Sequence, residues 1–384
     1  DSVAPYSGIK VNLNDTNSQT VHDYYGDMTI LGIENIKGSN QDDFIQGSGQ
    51  NNTLYGYDGD DVLYGISANN ILVGGDGSDT FRGGVGDNII YGESYTTIGA
   101  VGSESDTASR DLIDFSNSGV AVTLNLSTTE DIDYLNESIL SLDAQTSIGY
   151  GKNTIYNVED ALGGSGADTL IGSSVKNIID GGSGADIIFG FGGSGNILIG
   201  GSGNDTLLGL LGGDELYGGT VTYNAARDGI DAHANSGSDW VDYSYINDSK
   251  AVNIDLSQDK AEQIGAVANF DTLNDIENAK GTKNADTLKG DDDFNVINSL
   301  FGYKGDNSFI VSKGSDYIDG GDGFNTVDYS SVDIAGDGNR VVVDLGLSKA
   351  LDNGYHEDPL GANTVVEDDL INIQKVIGTG ANDT

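Results

Sequence analysis

Aspartate or asparagine recurs at nine-residue intervals along three stretches of this 384-residue chain. In the first stretch the two residue types alternate: Asp43, Asn52, Asp61, Asn70, Asp79 and Asn88. Carboxylate and amide oxygens are ligands that the hard cation Ca²⁺ prefers. A cage built of several such oxygens would be too large for Mg²⁺. Transition metals favour histidine or thiolate ligands, which the repeat lacks. The spacing therefore predicts a series of calcium sites.

These residues belong to a nine-residue unit that begins with glycine in nearly every copy. Blocks of such units start at Gly38, Gly163 and Gly281, and they comprise seventeen units in total. Position six is Asp or Asn and position eight is apolar in all seventeen. Glycines at positions one, two and four allow tight turns, and the last three residues predict a short strand whose position-eight side chain points inward. A flexible glycine-rich linker would have no reason to keep one apolar residue every nine.

The best-preserved units, such as GGSGADTLI from Gly163, resemble the GGxGxDxUx nonapeptide of RTX (repeats-in-toxin, hemolysin-type calcium-binding) proteins. The resemblance covers about 40% of the chain in strict register. It implies an all-β fold, a parallel β-roll or β-solenoid in which two nonapeptides form one coil. It also implies that several Ca²⁺ ions bind between stacked turns, through backbone carbonyls and the position-six side chains.

Because two units make one coil, position-six residues eighteen apart should stack on one edge of the roll. We expect the edge with Asp43, Asp61 and Asp79 to bind calcium firmly. The edge with Asn52, Asn70 and Asn88 should bind it weakly, or form a hydrogen-bonded ladder without metal. The second block predicts the same arrangement. One edge would contain Asp168, Asp186 and Asp205, and the other would contain Asn177, Asn196 and Asp214.

The third block is mixed at position six. In the nonapeptide register its position-six residues are Asp286, Asn295, Asn307, Asp316 and Asn325. A three-residue insertion, 299–301, follows Asn298 and leaves the pairing of this block open. Asp383 is the last candidate ligand.

A longer repeat contains the nonapeptide blocks. Four 14-residue stretches, from Ile30, Ile155, Leu273 and Leu370, each lead into position six of a first nonapeptide. An aromatic-Ser pair and an alternating strand, such as Tyr243-Ser244 and AVNIDL, precede each stretch. We therefore predict about three stacked modules: residues 1–92 with a roll at 38–92, residues 93–219 with a roll at 163–219, and residues 220–328 with a roll at 281–328. Residues 329–384 would start a fourth, truncated module.

Composition excludes several classes of protein. A formal net charge of −44 disfavours nucleic-acid binding, and no apolar run is long enough for a membrane span. The chain has no cysteine and only three histidines, with no HExxH or GxSxG motif. We therefore expect no enzymatic activity.

Three functions are compatible with this pattern. The favoured one is a calcium-binding structural protein of the extracellular surface, such as a surface-layer, filament or adhesin component that assembles on binding calcium. The alternatives are a calcium-dependent secretion and folding module of an exported enzyme or toxin, and a sugar-binding region in which Trp240 would stack on a cell-surface glycan. Expected partners are other copies of the chain or neighbouring domains of a longer one, and the resemblance implies export by type I secretion.

Overall fold

The computed structural model describes most of the chain. The residues described are 8–15, 19–22, 26–93, 109–127, 146–149, 151–210, 212–224, 229–246, 250–263, 270–293, 296–312, 314–331, 341–357, 363–379 and 383. They fall into two compact units: the described residues up to 193 form the first and those from 194 onwards form the second. The division into modules predicted above follows the sequence repeat, and it stays a prediction.

The described residues of the first unit form eighteen strands, most of them three residues long. They are β1 (Lys10–Asn12), β2 (Gln19–His22), β3 (Gly26–Met28), β4 (Asn35–Lys37), β5 (Phe44–Gln46), β6 (Thr53–Asp58), β7 (Val62–Tyr64), β8 (Ile71–Asp76), β9 (Thr80–Arg82), β10 (Asn88–Tyr91), β11 (Leu112–Asp114), β12 (Thr123–Asn125), β13 (Thr146–Ile148), β14 (Asn153–Tyr156), β15 (Asp160–Leu162), β16 (Thr169–Ile171), β17 (Ile178–Asp180) and β18 (Ile187–Phe189).

Successive strands of the first unit alternate between two sheets. One sheet is entirely parallel, in the order β1-β5-β7-β9-β11-β15-β17. The other has the order β4-β6-β8-β10-β14-β13-β12-β16-β18, and it is parallel except where β13 runs antiparallel between β12 and β14. Strands β2 and β3 form a separate antiparallel pair. Two nonapeptides therefore make one coil.

In the second unit, the part of the chain that the structure describes forms nineteen strands and a 3-10 helix at Leu256–Gln258. The strands are β19 (Ile197–Ile199), β20 (Thr206–Leu208), β21 (Glu215–Tyr217), β22 (Thr220–Tyr223), β23 (Ile230–Ala234), β24 (Trp240–Asp242), β25 (Val252–Asp255), β26 (Lys260–Gln263), β27 (Phe270–Asn274), β28 (Asn278–Lys280), β29 (Thr287–Lys289), β30 (Ser299–Phe301), β31 (Ser308–Ile310), β32 (Tyr317–Asp319), β33 (Thr326–Asp328), β34 (Val341–Asp344), β35 (Lys349–Glu357), β36 (Asn363–Ile371) and β37 (Lys375–Ile377).

The second unit repeats the same construction. One sheet has the order β19-β21-β27-β26-β25-β29-β31-β33-β37, with β26 antiparallel to both neighbours. The other has the order β20-β24-β28-β30-β32-β36-β35-β34, with β35 antiparallel to both neighbours. Strands β22 and β23 pair separately.

The long sequence repeat thus has a structural counterpart, which we call the three-stranded insert. It occurs as β12–β14, β25–β27 and β34–β36. Each insert begins with the predicted alternating strand and ends with the strand that opens a 14-residue stretch. Its outer two strands are parallel to the roll and its middle strand is antiparallel, so the insert continues one sheet without breaking the stack. The predicted all-β parallel roll is confirmed.

Position eight forms the core of both units. In register, Ile45 pairs with Leu63 and Leu63 with Phe81 in one sheet, as Leu54 does with Leu72 in the other. These five side chains are completely buried. The glycine-rich turns position the strands so that one apolar side chain per nonapeptide fills the space between the sheets.

One position-eight assignment in the third block is wrong. The nonapeptide register placed Ile297 in the core, but its side chain is 65% exposed, whereas Leu300 is 0% exposed and pairs with Ile318. The chain uses the three-residue insertion to lengthen the turn before β30. Asn298, not Asn295, therefore precedes the strand, and Asn295 itself lies outside the described residues.

The corrected register makes a prediction about stability. Leu300→Ala should lower the free energy of unfolding by about 2–5 kcal/mol because it leaves a cavity in the core. The matched control Ile297→Ala should change it by less than about 0.5 kcal/mol. Chemical denaturation at saturating calcium measures both, and a larger loss for Ile297→Ala would restore the original register.

Candidate calcium sites

The position-six residue lies immediately before each strand, and successive position-six carboxylates are connected through the backbone. In the first unit each carboxylate accepts a hydrogen bond from the backbone N–H of the residue one coil before it. We call this column the first acid ladder. Its bonds run from the backbone N–H of Ile9 to Asp43 Oδ1 (2.6 Å), from that of Asp43 to Asp61 Oδ1 (2.7 Å), from that of Asp61 to Asp79 Oδ1 (2.8 Å), from that of Asp79 to Asp111 Oδ1 (2.8 Å) and from that of Asp111 to Glu159 Oε2 (3.0 Å). The predicted stacking of residues eighteen apart is observed for Asp43, Asp61 and Asp79.

The second oxygen of these carboxylates is the chemically unusual feature. Oδ2 of Asp61 and Oδ2 of Asp79 are buried and accept no hydrogen bond. Burial, reinforced by neighbouring carboxylates, raises the pKa of Asp61 to about 7 and that of Asp79 to about 8. A buried charge without a partner is strongly unfavourable, so this column requires a proton or a cation at neutral pH.

Backbone carbonyls face the same space as these oxygens. A Cβ added to Gly56 would collide with Asp61 Oδ2 and lie 2.9 Å from the carbonyl oxygen of Gly74. Glycine is therefore required at position one to leave room, whereas at position four the turn itself requires it: Gly77 has a φ of +133°. Carboxylate and carbonyl oxygens together are the ligand set that suits Ca²⁺.

The arrangement fits calcium held between coils. Within the described parts of the chain, no three His, Cys, Asp or Glu side chains converge on one point. Each cage would therefore combine carboxylates from successive coils with carbonyls of the glycine turns.

On the asparagine edge of the first roll, the side chains form hydrogen bonds with one another and with the carbonyls of the turns. The backbone N–H groups of Asn52 and Asn70 donate to Oδ1 of Asn70 and Asn88, each at 2.9 Å. The Asn70 amide N–H₂ donates to the turn carbonyls of Ser67 (3.1 Å) and Ala68 (3.3 Å) and to Asn88 Oδ1 (2.9 Å). These donors occupy the oxygens that a cation would need. The geometry favours the metal-free ladder of the two alternatives.

The second block is divided between the two units. In the first unit, the N–H groups of Val122 and Asp168 donate to Oδ1 of Asp168 (2.7 Å) and Asp186 (2.6 Å). Burial raises the pKa of Asp168. Asn177 donates through its amide to Ser173 Oγ (3.1 Å) and to the carbonyl of Glu159.

In the second unit, two columns continue the second block. Asp205 N–H donates to Asp239 Oδ1 (2.7 Å), and Asp239 N–H donates to Glu277 Oε2 (2.8 Å). Asn196 N–H donates to Asp214 Oδ1 (2.8 Å). Oδ2 of Asp214 and Oδ2 of Asp239 are buried without a hydrogen-bond partner, and burial, with neighbouring carboxylates, raises both pKa values to about 7.

The third block has mixed columns, as predicted, and hydroxyl groups contact its carboxylates. Asp286 accepts from Thr282 Oγ1 (2.9 Å) and Asp316 from Ser312 Oγ (2.8 Å). Asp383 accepts from Thr379 Oγ1 (2.8 Å) and from Val341 N–H (3.0 Å). These carboxylates thus have hydrogen-bond donors that Oδ2 of Asp61 and Asp79 lack.

Four acids that stand before strands outside the nonapeptides also extend the ladders, and the repeat pattern alone did not identify them. Asp111 and Asp239 precede β11 and β24, and Glu159 and Glu277 precede β15 and β28. Each strand that follows Asp111 or Asp239 ends in the predicted aromatic-Ser motif, as in DLIDFS and DWVDYS. The spacing from Asp to the buried apolar residue is that of positions six and eight, which is the signal that could have identified them.

Comparison with known proteins agrees with this geometry. The family model of the RTX calcium-binding nonapeptide repeat, a model of four copies, matches residues 37–65, 64–94, 162–190, 191–220 and 294–327. These segments of the chain consist of RTX calcium-binding nonapeptide repeats. A search of curated proteins found no match. RTX repeats bind calcium, are typically structural and non-catalytic, and are typical of extracellular proteins exported by type I secretion.

The acid ladders extend beyond the segments that the family model matches. The matched segments end at residues 94 and 220, so Asp111 and Asp239 extend the acid ladders beyond the recognised RTX repeats. No helix among the described residues is long and apolar enough to cross a membrane.

The contrast between the two edges predicts different effects of substitution. Asp61→Asn keeps the acceptor for the Asp43 N–H but removes a charge, so it should reduce the dependence of the melting temperature on calcium concentration. Asn70→Ala, the matched control, should lower the melting temperature at every calcium concentration without changing that dependence. Calorimetry across a calcium series measures both, and equal slopes for the two variants would contradict the assignment of calcium to the Asp edge.

The raised pKa values predict how the calcium-free protein responds to pH. Between the ordinary aspartate pKa of 3.8 and the folded values of about 7 and 8, the folded chain retains protons that the unfolded chain has lost. Stability without calcium should therefore rise as the pH is lowered from 8 into the acid range. Circular dichroism of calcium-stripped protein in calcium-free buffer at successive pH values tests this: β structure should increase on mild acidification, and a spectrum that shows no increase would contradict it.

Proposed function

We propose that this RTX repeat protein is a calcium-binding structural component of the extracellular surface, whose rolls fold when the acid ladders bind Ca²⁺. The observation that carries the proposal is the first acid ladder. It places Asp43, Asp61, Asp79 and Asp111 in one buried column, and two of these carboxylates have an oxygen with no hydrogen-bond donor. Calcium would supply the missing positive charge there.

The ligands proposed are those of the aspartate columns. They comprise the first acid ladder, the pair Asp168 and Asp186, and in the second unit Asp205, Asp214 and Asp239. Asp43 at the start of the first acid ladder, and likewise Asp286, Asp316 and Asp383, are weaker candidates, because each accepts a hydrogen bond from a Ser or Thr hydroxyl.

Binding energy is then folding energy. A net charge of −44 opposes compaction, and the ladder brings carboxylates together that cannot all be ionised without a cation. Extracellular calcium modules have dissociation constants of roughly 10⁻⁴–10⁻³ M. A chain with such sites would stay unfolded where calcium is scarce and fold after export.

The surface role is supported by the way the module recurs. The described residues contain three inserts of the same construction, each continuing a sheet of the roll. Outward-facing aromatic side chains accompany the stack, including Trp240, Phe301 and Tyr317, with ring centroids 5.2 and 5.5 Å apart. Partly exposed rings of this kind are favourable contact residues at protein interfaces, and we propose self-association through such surfaces.

Removing calcium tests the proposal. Circular dichroism and sedimentation velocity should show an unfolded, slowly sedimenting chain in EGTA and a β-rich particle in millimolar calcium. A β spectrum unchanged after complete chelation at neutral pH would contradict calcium-dependent folding.

Self-association has a separate outcome in the same experiment. Particles larger than one chain at millimolar calcium would support assembly. A compact monomer at high protein concentration would overturn self-association while leaving calcium-dependent folding intact.

A further inference from the structure

Two acids in the second unit occupy ladder positions but differ from Asp61 and Asp79. Asp271 and Asp368 lie on β27 and β36, the last strands of their inserts. Asp271 Oδ1 accepts from Asp214 N–H at 3.0 Å, and Asp368 Oδ1 accepts from Asp316 N–H at 2.9 Å. By position, therefore, both continue the columns of carboxylates.

A buried tyrosine contacts the second oxygen of each. Tyr243 Oη donates to Asp271 Oδ2 at 2.7 Å, and Tyr329 Oη donates to Asp368 Oδ2 at 2.9 Å. Tyr243 and Tyr329 belong to the aromatic-Ser motifs after β24 and β33, on the sheet opposite the acid they contact, and both are buried. Burial, together with Asp271, raises the pKa of the Tyr243 hydroxyl well above its usual value, so it keeps the proton that it donates.

The equivalent residues of the first unit have changed together. The aromatic-Ser motif after β11 has Phe115 in place of tyrosine, and β14 begins with Asn153 in place of aspartate. The Asn153 amide is satisfied locally: Nδ2 donates to Ser147 Oγ and Oδ1 accepts from Asn88 Nδ2, each at 2.8 Å. Among the aromatic-Ser motifs that the structure describes, the hydroxyl is present where the ladder residue is a carboxylate and absent where it is an amide.

All four carboxylate oxygens of Asp316 and Asp368 already accept a hydrogen bond, so none of them needs a cation. Asp316 Oδ1 accepts from Asn298 N–H (3.2 Å) and Oδ2 from Ser312 Oγ (2.8 Å), while the two oxygens of Asp368 accept as described. At Asp61 and Asp79, by contrast, Oδ2 is buried without a donor. Donor hydroxyls thus take the place that a metal would occupy.

We propose that Tyr329 replaces calcium at the junction between roll and insert. Tyr243 holds Asp271 in the same way, although Oδ2 of the neighbouring Asp214 still lacks a donor. The inference rests on the proposal that the unsatisfied ladder carboxylates bind Ca²⁺. A hydroxyl donated to a buried carboxylate is a charge-assisted hydrogen bond, so it holds the acid without a cation. The junction at Asp368 then stays linked to the roll independently of calcium concentration.

The direct test compares Asp368→Asn with Asp61→Asn in the full chain. Melting temperature is measured across a calcium series, and its slope against the logarithm of calcium concentration reports the ions linked to folding. Asp368→Asn should leave the wild-type slope unchanged, whereas Asp61→Asn should reduce it. An equal reduction in both would overturn the inference and place a calcium ion at Asp368.

A double-mutant cycle isolates the role of the hydroxyl. Tyr329→Phe should lower the folded-to-unfolded ratio at fixed calcium by about ten- to hundredfold, because it removes a hydrogen bond to a charged group. Adding Asp368→Asn to Tyr329→Phe recreates the Phe115 and Asn153 arrangement and should restore most of that loss. Additive losses in the double variant would contradict the proposal.

The same measurements distinguish failure of the proposed calcium binding from failure of the proposed tyrosine contact. A wild-type protein whose melting temperature does not depend on calcium would overturn the proposed function itself. Calcium dependence in the wild type with no coupling between Tyr329 and Asp368 would overturn only the role of the tyrosine.

Discussion

The structure depends on a buried carboxylate that has one oxygen bound to the backbone of the neighbouring coil and one oxygen bound to nothing in the protein. The first oxygen fixes the spacing between successive coils, since Asp61 Oδ1 accepts a hydrogen bond from the backbone N–H of Asp43 in the neighbouring coil. The second oxygen cannot remain charged and unpartnered in a closed core. Stacking of the coils is thereby coupled to whatever supplies positive charge, and the glycine turns leave the space in which it can sit.

The same column position is used in three chemical forms. Asp61 and Asp79 leave an oxygen for a cation. Asn70 supplies its own donors and closes the turn without one. Asp368 takes a hydroxyl from Tyr329 across the core. In all three cases Oδ1 accepts a backbone N–H from the neighbouring coil, so the remaining atoms of the side chain and their partners set whether a given coil depends on calcium.

The sequence alone predicted the parallel stack because each nonapeptide repeats one apolar residue and one acid or amide at fixed spacing. It predicted the partners of Asp61 and Asn70 because the family geometry pairs units eighteen residues apart. It failed at the insertion in the third block, where NVI at 295–297 and NSL at 298–300 both match an Asn followed two residues later by an apolar side chain. Only the packing of Leu300 in the core distinguishes them.

Other features of the site could not be predicted from the repeat. Asp111 is preceded by no glycine turn and Asp239 by a turn with a single glycine, Gly237 at position four (φ +125°), so their place in the ladder depends on which strands pair across the stack. The contact of Tyr329 with Asp368 joins residues 39 apart on opposite sheets. Such contacts depend on the length of the three-stranded insert, and no local pattern of residues specifies that length.

The central claim is that cations bind along the aspartate edge of the roll and not along its asparagine edge. The most direct measurement is anomalous scattering from crystals of the chain grown with calcium. The account predicts anomalous peaks beside Oδ2 of Asp61 and Asp79, with none beside Asn70. Peaks between the asparagine side chains, or an aspartate edge without any, would contradict it.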